Sequence, residues 1–226
     1  EEAFVLYREF LIGVTHFFRD PEAWLILETD VLPKLVREKQ PKEPFKVWVV
    51  GCSSGEEAYT IGILLQEALA RSGRLLEVKI FATDVEKEHL DRGAHGVYPE
   101  SIVSDISLPR LQKFFMKRGD LYQVVADLRR TIIFSQHNAL SDPPFGRMDL
   151  VICRNFMIYL QPEIQKRLID TLHYSLNKNG ILFLGPSESL GTLKPMFEEI
   201  SGRWRIYRSK EVARSLGHPR QLNEIY

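Results

Sequence analysis

Apolar positions along this chain follow two periods. Short apolar runs, such as Val47-Trp-Val-Val50, Val78-Lys-Ile-Phe-Ala82, Leu150-Val-Ile-Cys153 and Ile181-Leu-Phe-Leu184, have the length of buried strands. Between them, apolar residues recur three or four apart, as at Trp24, Leu25, Leu27, Val31, Leu32 and Leu35, or Ile61, Leu64, Leu65 and Leu69, which is helical spacing. The pattern predicts a helix over 2–12, a loop over 13–21 and a helix starting at Pro21. It then predicts strand 46–51, helix 56–71, strand 78–84, helix 86–93, strands 131–135 and 148–153, helix 162–176, strand 180–185 and a last strand 204–208. Strict alternation breaks between 96 and 130. A helix over 108–116 and a strand over 121–125 there read as a small inserted subdomain with antiparallel strands. Buried strands alternating with helices define an α/β doubly wound sheet, whose ligands sit at the C-terminal strand edges.

Composition narrows this picture. The 226 residues form one large domain, 44% hydrophobic, with 30 basic and 30 acidic residues. Zero net charge gives no global basic field for nucleic acid or an anionic membrane. The two cysteines, Cys52 and Cys153, imply no disulfide framework and fit a reducing cytoplasm, and no apolar run reaches membrane-spanning length. The chain opens directly in a helical pattern and ends in a polar tail, 211–226, so it reads as a segment of something longer.

The strand ends carry the candidate chemistry. The first strand runs into Gly51-Cys-Ser-Ser-Gly55 and then Glu56-Glu57 at a helix start. The glycine spacing is not that of a dinucleotide fingerprint, and carboxylates there repel a pyrophosphate while suiting a cationic, hydroxyl-rich ligand. S-adenosylmethionine (SAM), with a sulfonium, an ammonium and a ribose, is such a ligand. Asp84 ends the second strand, either to bridge ribose hydroxyls or to cap the next helix. Asn138, followed by Ala139, offers an amide to an adenine edge or serves a turn. Arg154 and Asn155 close the fourth strand, with Tyr159 four residues beyond Asn155. Arg19, in Thr15-His-Phe-Phe-Arg-Asp20, is either functional or part of a surface ion pair. The six histidines lack metal-ligand spacing, so no metal is expected. Cys153 reads as packing rather than as a nucleophile.

In combination these segments resemble the CheR family, SAM-dependent methyltransferases that methylate glutamates of chemotaxis receptors. The resemblance rests on Thr15-x-Phe-Phe-Arg19, Gly51-Cys-Ser-Ser-Gly-Glu-Glu57, Ala82-Thr-Asp84, Gly96-Val-Tyr98, Asn138, Cys153-Arg-Asn-x-Met-Ile-Tyr159, Gly180-Ile-Leu-Phe-Leu-Gly185 and Ser187-Glu-Ser-Leu190. Leu11-Ile-Gly-Val-Thr15 and Asp142-Pro-Pro-Phe145 are most similar to modules embedded in hybrid methylesterase and PAS-type sensor proteins. The resemblance implies a class I methyltransferase sheet over 21–210, with insert 96–130, preceded by the end of a helical region over 1–20. It implies cofactor contacts from Thr15, Arg19, Gly51, the Glu56–Glu57 pair (Glu57 by preference), Asp84, Asn138, Ala139, Arg154 and Asn155. Arg19 and Tyr159 are the implied catalytic residues, Arg19 gripping the incoming carboxylate. The implied partner is the cytoplasmic part of a chemoreceptor. The short turn Lys117-Arg-Gly-Asp120 matches members that do not bind a receptor's C-terminal pentapeptide. Gly13, Ser54 and Ala58 stand where the family often has Asn, Thr and Pro. A SAM- or S-adenosylhomocysteine (SAH)-binding regulatory module without turnover is the alternative.

Overall fold

A computed structural model describes residues 15–210; the expected helix over 2–12 and the tail 211–226 lie outside the described residues. A seven-stranded sheet forms the centre. Its strands are β1 (Phe45–Val50), β2 (Val78–Asp84), β6 (Ile132–Gln136), β7 (Met148–Cys153), β8 (Leu176–Leu184), β9 (Phe197–Ser201) and β10 (Ile206–Ser209). They lie in the order β6-β2-β1-β7-β8-β10-β9. The first five are mutually parallel, and β10 runs antiparallel to both β8 and β9.

The central strands are buried on both faces, so successive residues feed two cores. Val47 and Val49 of β1, Ile152 of β7 and Phe183 of β8 join one cluster. Helices α1 (Pro21–Ile26), α2 (Leu32–Glu38) and α3 (Glu56–Ser72) complete it through Trp24, Val36 and Ile61. Trp48, Val50, Val151 and Leu182 face the opposite way and pack on Leu168, Ile169 and Leu172 of α7 (Pro162–Ser175). Helix α4 (Lys87–His95) follows β2 and adds Leu90 to the first cluster.

The insert is an antiparallel sheet of β3 (Val97–Pro99), β5 (Leu121–Val124) and β4 (Phe115–Arg118), in that order, with short helices α5 (Leu108–Phe114) and α6 (Ala126–Arg129). The helix expected over 108–116 ends at Phe114. Phe115 is extended at φ −133°, and its strand pairs with β5. Strand β9 was not foreseen, and the closing strand begins at Ile206 rather than Trp204. The helix foreseen from Pro21 is interrupted by a π-helical turn, Leu27–Val31, directly before Leu32 and Pro33. Pro33 cannot donate to the carbonyl four residues back and its ring crowds that carbonyl, so a widened turn lets the chain continue.

Candidate functional site

The site begins at the turn after β1. Gly51, Ser53 and Gly55 all have positive φ (65°, 46° and 93°), folding the chain back so that Cys52 N–H donates to the Thr83 carbonyl at 2.9 Å. At Gly51 the requirement for glycine is steric as well, because a Cβ would sit 2.6 Å from the Phe156 ring. Ser53 N–H donates to Asp84 Oδ2 at 2.8 Å, and Glu86 N–H donates to Asp84 Oδ1 at 3.0 Å. Asp84 thus organises the turn and the entry to α4 together, and each carboxylate oxygen keeps accepting capacity beyond its one amide.

The strand order reverses direction of growth between β1 and β7, which is where doubly wound sheets bind ligands. A hollow of about 600 Å³ opens there. Its wall includes Thr15, Arg19, Gly51, Glu57, Asp84, Arg154, Asn155 and Tyr159, eight residues singled out from the sequence. His16, Ser53, Glu86, His89 and Phe156 also line it without having been foreseen. Glu86 and His89 follow Asp84 by two and five positions, so the strand-end rule could have reached them.

Arg154 is the electrostatic centre of this wall. Its side chain is 1% exposed, and its Nη1 donates to Glu57 Oε1 at 2.9 Å and to the Arg19 carbonyl at 3.2 Å. Its Nη2 meets Asp20 Oδ2 at 2.5 Å, and its guanidinium lies 4.7 Å from the Phe183 ring centroid. A buried cation with two carboxylate partners is costly to leave half-paired, so the three groups act as one unit. Burial pushes the Glu57 carboxyl above its ordinary value, while Arg154 pulls it back. The unit fixes the Thr15–Asp20 segment, whose Phe17 and Phe18 are buried anchors and whose Arg19 carbonyl also accepts from Trp24 Nε1 at 2.8 Å.

The loop after β7 has its own pin. Glu188 is 3% exposed, and its carboxylate accepts amide protons from Phe156 (2.9 Å), Met157 (2.7 Å) and Gly185 (2.6 Å). Burial raises its pKa, and these amides oppose the rise. The pin holds the 3₁₀ turn Met157–Tyr159, which leaves Tyr159 47% exposed at the hollow's mouth.

Three expected cofactor residues are not brought to this wall. Glu56 faces a second hollow, shared with Ser54, Asp91, Arg92, His95 and Tyr98, where Ser54 Oγ donates to its carboxylate at 2.8 Å. Burial raises its pKa from 4.5 to about 6. Asn138 serves the turn: its Oδ1 accepts from Leu140 N–H at 3.0 Å and its own N–H donates to Asp142. Ala139 is packed in the core beside α7. Cys52 and Cys153 are buried, and burial pushes both thiols up, so neither is a ready nucleophile.

The hollow joins acids (Glu57, Asp84, Glu86) at the β1 and β2 edges to cations (Arg19, Arg154) at the β7 side, with Ser53 Oγ buried and unpartnered among the described residues. This donor set suits a cationic nucleoside carrying an amino-acid zwitterion rather than a phosphate ester. The fold is that of the class I SAM-dependent methyltransferases. The chain belongs to the CheR methyltransferases, whose SAM-binding domain matches residues 13–206. It is 45% identical over 204 residues to a 104.1 kDa protein of the hypE 3′ region of Rhodobacter capsulatus, covering 90% of this chain and 21% of that one. It is 34% identical to a chemotaxis protein methyltransferase of Listeria innocua, covering 79% and 66% respectively. With a second from Listeria monocytogenes it shares 34% over 82% and 70%. The chain therefore spans about a fifth of the Rhodobacter protein and about two thirds of the Listeria enzymes. Among solved structures, PKMT2 of Rickettsia typhi in complex with AdoHcy aligns at TM-score 0.42 and 18% identity, over 72% of this chain and 24% of that one. No helix among the described residues is long and apolar enough to cross a membrane.

Proposed function

We propose that this domain moves a methyl group from SAM to glutamate carboxylates of a protein, a chemotaxis or other sensory receptor, giving methyl esters. The observation that carries the reading is Arg19 and Tyr159 at the wall of one hollow with Asp84 and Glu57. Relatives named chemotaxis protein methyltransferases support the acceptor class.

SAM supplies an electrophilic methyl on a sulfonium, with SAH as the leaving group. Asp84 would hold the ribose, while Thr15, Glu57 and Asn155 would hold the amino-acid end. A glutamate side chain, with a pKa near ~4.3, is already ionised at neutral pH, so no general base is needed. The protein's contribution is orientation and exclusion of water. The Arg19 fork grips one carboxylate oxygen and leaves the other to attack, and the Tyr159 hydroxyl orients the pair. The short Lys117–Asp120 turn supports docking independent of a pentapeptide tether.

The test is incubation with methyl-labelled SAM and a lysate of receptor-bearing cells. Base-labile label on glutamates of a receptor is expected. Label that resists base, or SAH binding without any transfer, sinks this reading; the latter would leave a binding module. Arg19→Ala should lower transfer about a hundredfold while SAH affinity falls little, and lysine should rescue only in part. Transfer at the wild-type rate would return Arg19 to the surface.

A further inference from the structure

The Gly96-Val-Tyr98 segment stands outside the hollow, yet its geometry connects both halves of the site. Gly96 has φ 62°, and a Cβ there would fall 2.8 Å from the Tyr59 hydroxyl, so the chain turns tightly over α3 into β3. Tyr98 then points inward from the insert and is 5% exposed. Its hydroxyl donates to the Ser54 carbonyl at 2.7 Å. Ser54 belongs to the glycine-rich turn, and its neighbour Ser53 lines the hollow and is held by Asp84. The Tyr98 ring meets Phe17 edge-on, with centroids 4.9 Å apart, and Phe17 also packs edge-on against Phe115 of the insert at 5.5 Å. Phe17 lies two residues before Arg19 in the segment that supplies Thr15 and Arg19 to the hollow. Phe18 N–H in turn donates to Thr60 Oγ1 of α3 at 3.2 Å.

We infer that Tyr98 is a positioning residue for methyl transfer, its hydroxyl setting the cofactor turn and its ring setting the Arg19 segment. The two halves of the side chain act on different steps. The hydroxyl satisfies a turn carbonyl that would otherwise be free to rotate the Cys52–Gly55 backbone, so it governs cofactor affinity. The ring fills the space behind Phe17, so it governs where Arg19 presents its fork. Burial keeps this phenol protonated and able to donate at all working pH values. The insert is thereby part of the site's framework without touching the cofactor. This assignment rests on the proposed activity for its turnover arm only.

Two substitutions in the full chain separate the roles. Tyr98→Phe keeps the ring: it should weaken SAH binding about fivefold by calorimetry, leave kcat within twofold at saturating SAM, and leave hydrogen exchange at Phe17–Arg19 unchanged. Tyr98→Leu removes the ring as well: exchange at Phe17–Arg19 should rise at least tenfold, and kcat on the labelled acceptor should fall at least tenfold. SAH affinity within twofold of wild type in Tyr98→Phe overturns the hydroxyl's role. Unchanged exchange at Phe17–Arg19 in Tyr98→Leu overturns the ring's role. Losses in both variants that merely follow a lowered melting temperature reduce Tyr98 to a core residue. The calorimetry and exchange arms need no acceptor, so failure of the proposed activity leaves them decisive.

Discussion

Glu56 and Glu57 are adjacent acids with opposite fates. Successive helical residues point about 100° apart. Glu57 turns to Arg154, whereas Glu56 turns to the insert, where its carboxylate accepts from the Ser54 hydroxyl. Burial raises its folded pKa from 4.5 to about 6, so the native state holds this proton more tightly than the unfolded chain. The stability it contributes is full below pH 4.5 and is lost as pH rises through about 6, a cost of about 2 kcal/mol at neutral pH. Glutamine keeps an acceptor for Ser54 and never ionises. Glu56→Gln should therefore be more stable than wild type by about 1–2 kcal/mol at pH 7.5 and equal to it near pH 4.5, measured by urea unfolding. An equal difference at both pH values would mean that the carboxylate's charge is not what the site resists.

Between elements, Phe134 of β6 is tightly fitted. A Cβ on Gly93 of α4 would lie 2.5 Å from its ring, and one on Gly55 2.8 Å from it, so the ring is clamped between two glycines. Alanine at Gly93 gains about 1 kcal/mol of helix propensity. Overpacking a clamped ring costs about 1–3 kcal/mol, so the clash wins. Gly93→Ala should lose about 1 kcal/mol or more in denaturant unfolding, and in a Phe134→Leu background the same change should stabilise. A stabilised Gly93→Ala in the wild-type background would show the ring free to move. The parallel strands were legible because each contains a short, mostly apolar run bounded by turn or polar residues. Strand β4 was not, because Phe114-Phe115-Met116 satisfies a helical period as well as a strand. Edge strand β9 pairs on one side only and carries Glu198 and Glu199, so it has no apolar signature. Gly51, Asp84 and Arg154 were legible because they stand at strand ends. Glu188 stood in the Ser187–Leu190 segment, but its role was not legible, because its amide partners Phe156 and Met157 lie about thirty residues away and only the fold brings them to it. At Asn138 the sequence left two roles open, because an Asx turn and an adenine contact ask for the same amide, and the structure shows the turn.

Across the whole molecule, the hollow draws its wall from residues 15 to 159, and β1 pairs with β7 about a hundred positions later. No single unit of strand and helix holds the ligand, so binding follows completion of the sheet edge. Stopped-flow unfolding should slow as SAH concentration rises, tracking the binding isotherm, while the refolding rate stays within twofold. Faster refolding with SAH would mean that a half-built site already binds. The Arg154 clasp reaches back 134 positions to Asp20. Synthesis at roughly 5–20 residues per second separates the two on the ribosome by on the order of ten seconds. Phe17 meets its ring partners Tyr98 and Phe115 before that interval ends, whereas Asp20 and then Glu57 wait for their shared cation, so the wall that faces the cofactor closes later in synthesis than the apolar contacts behind it.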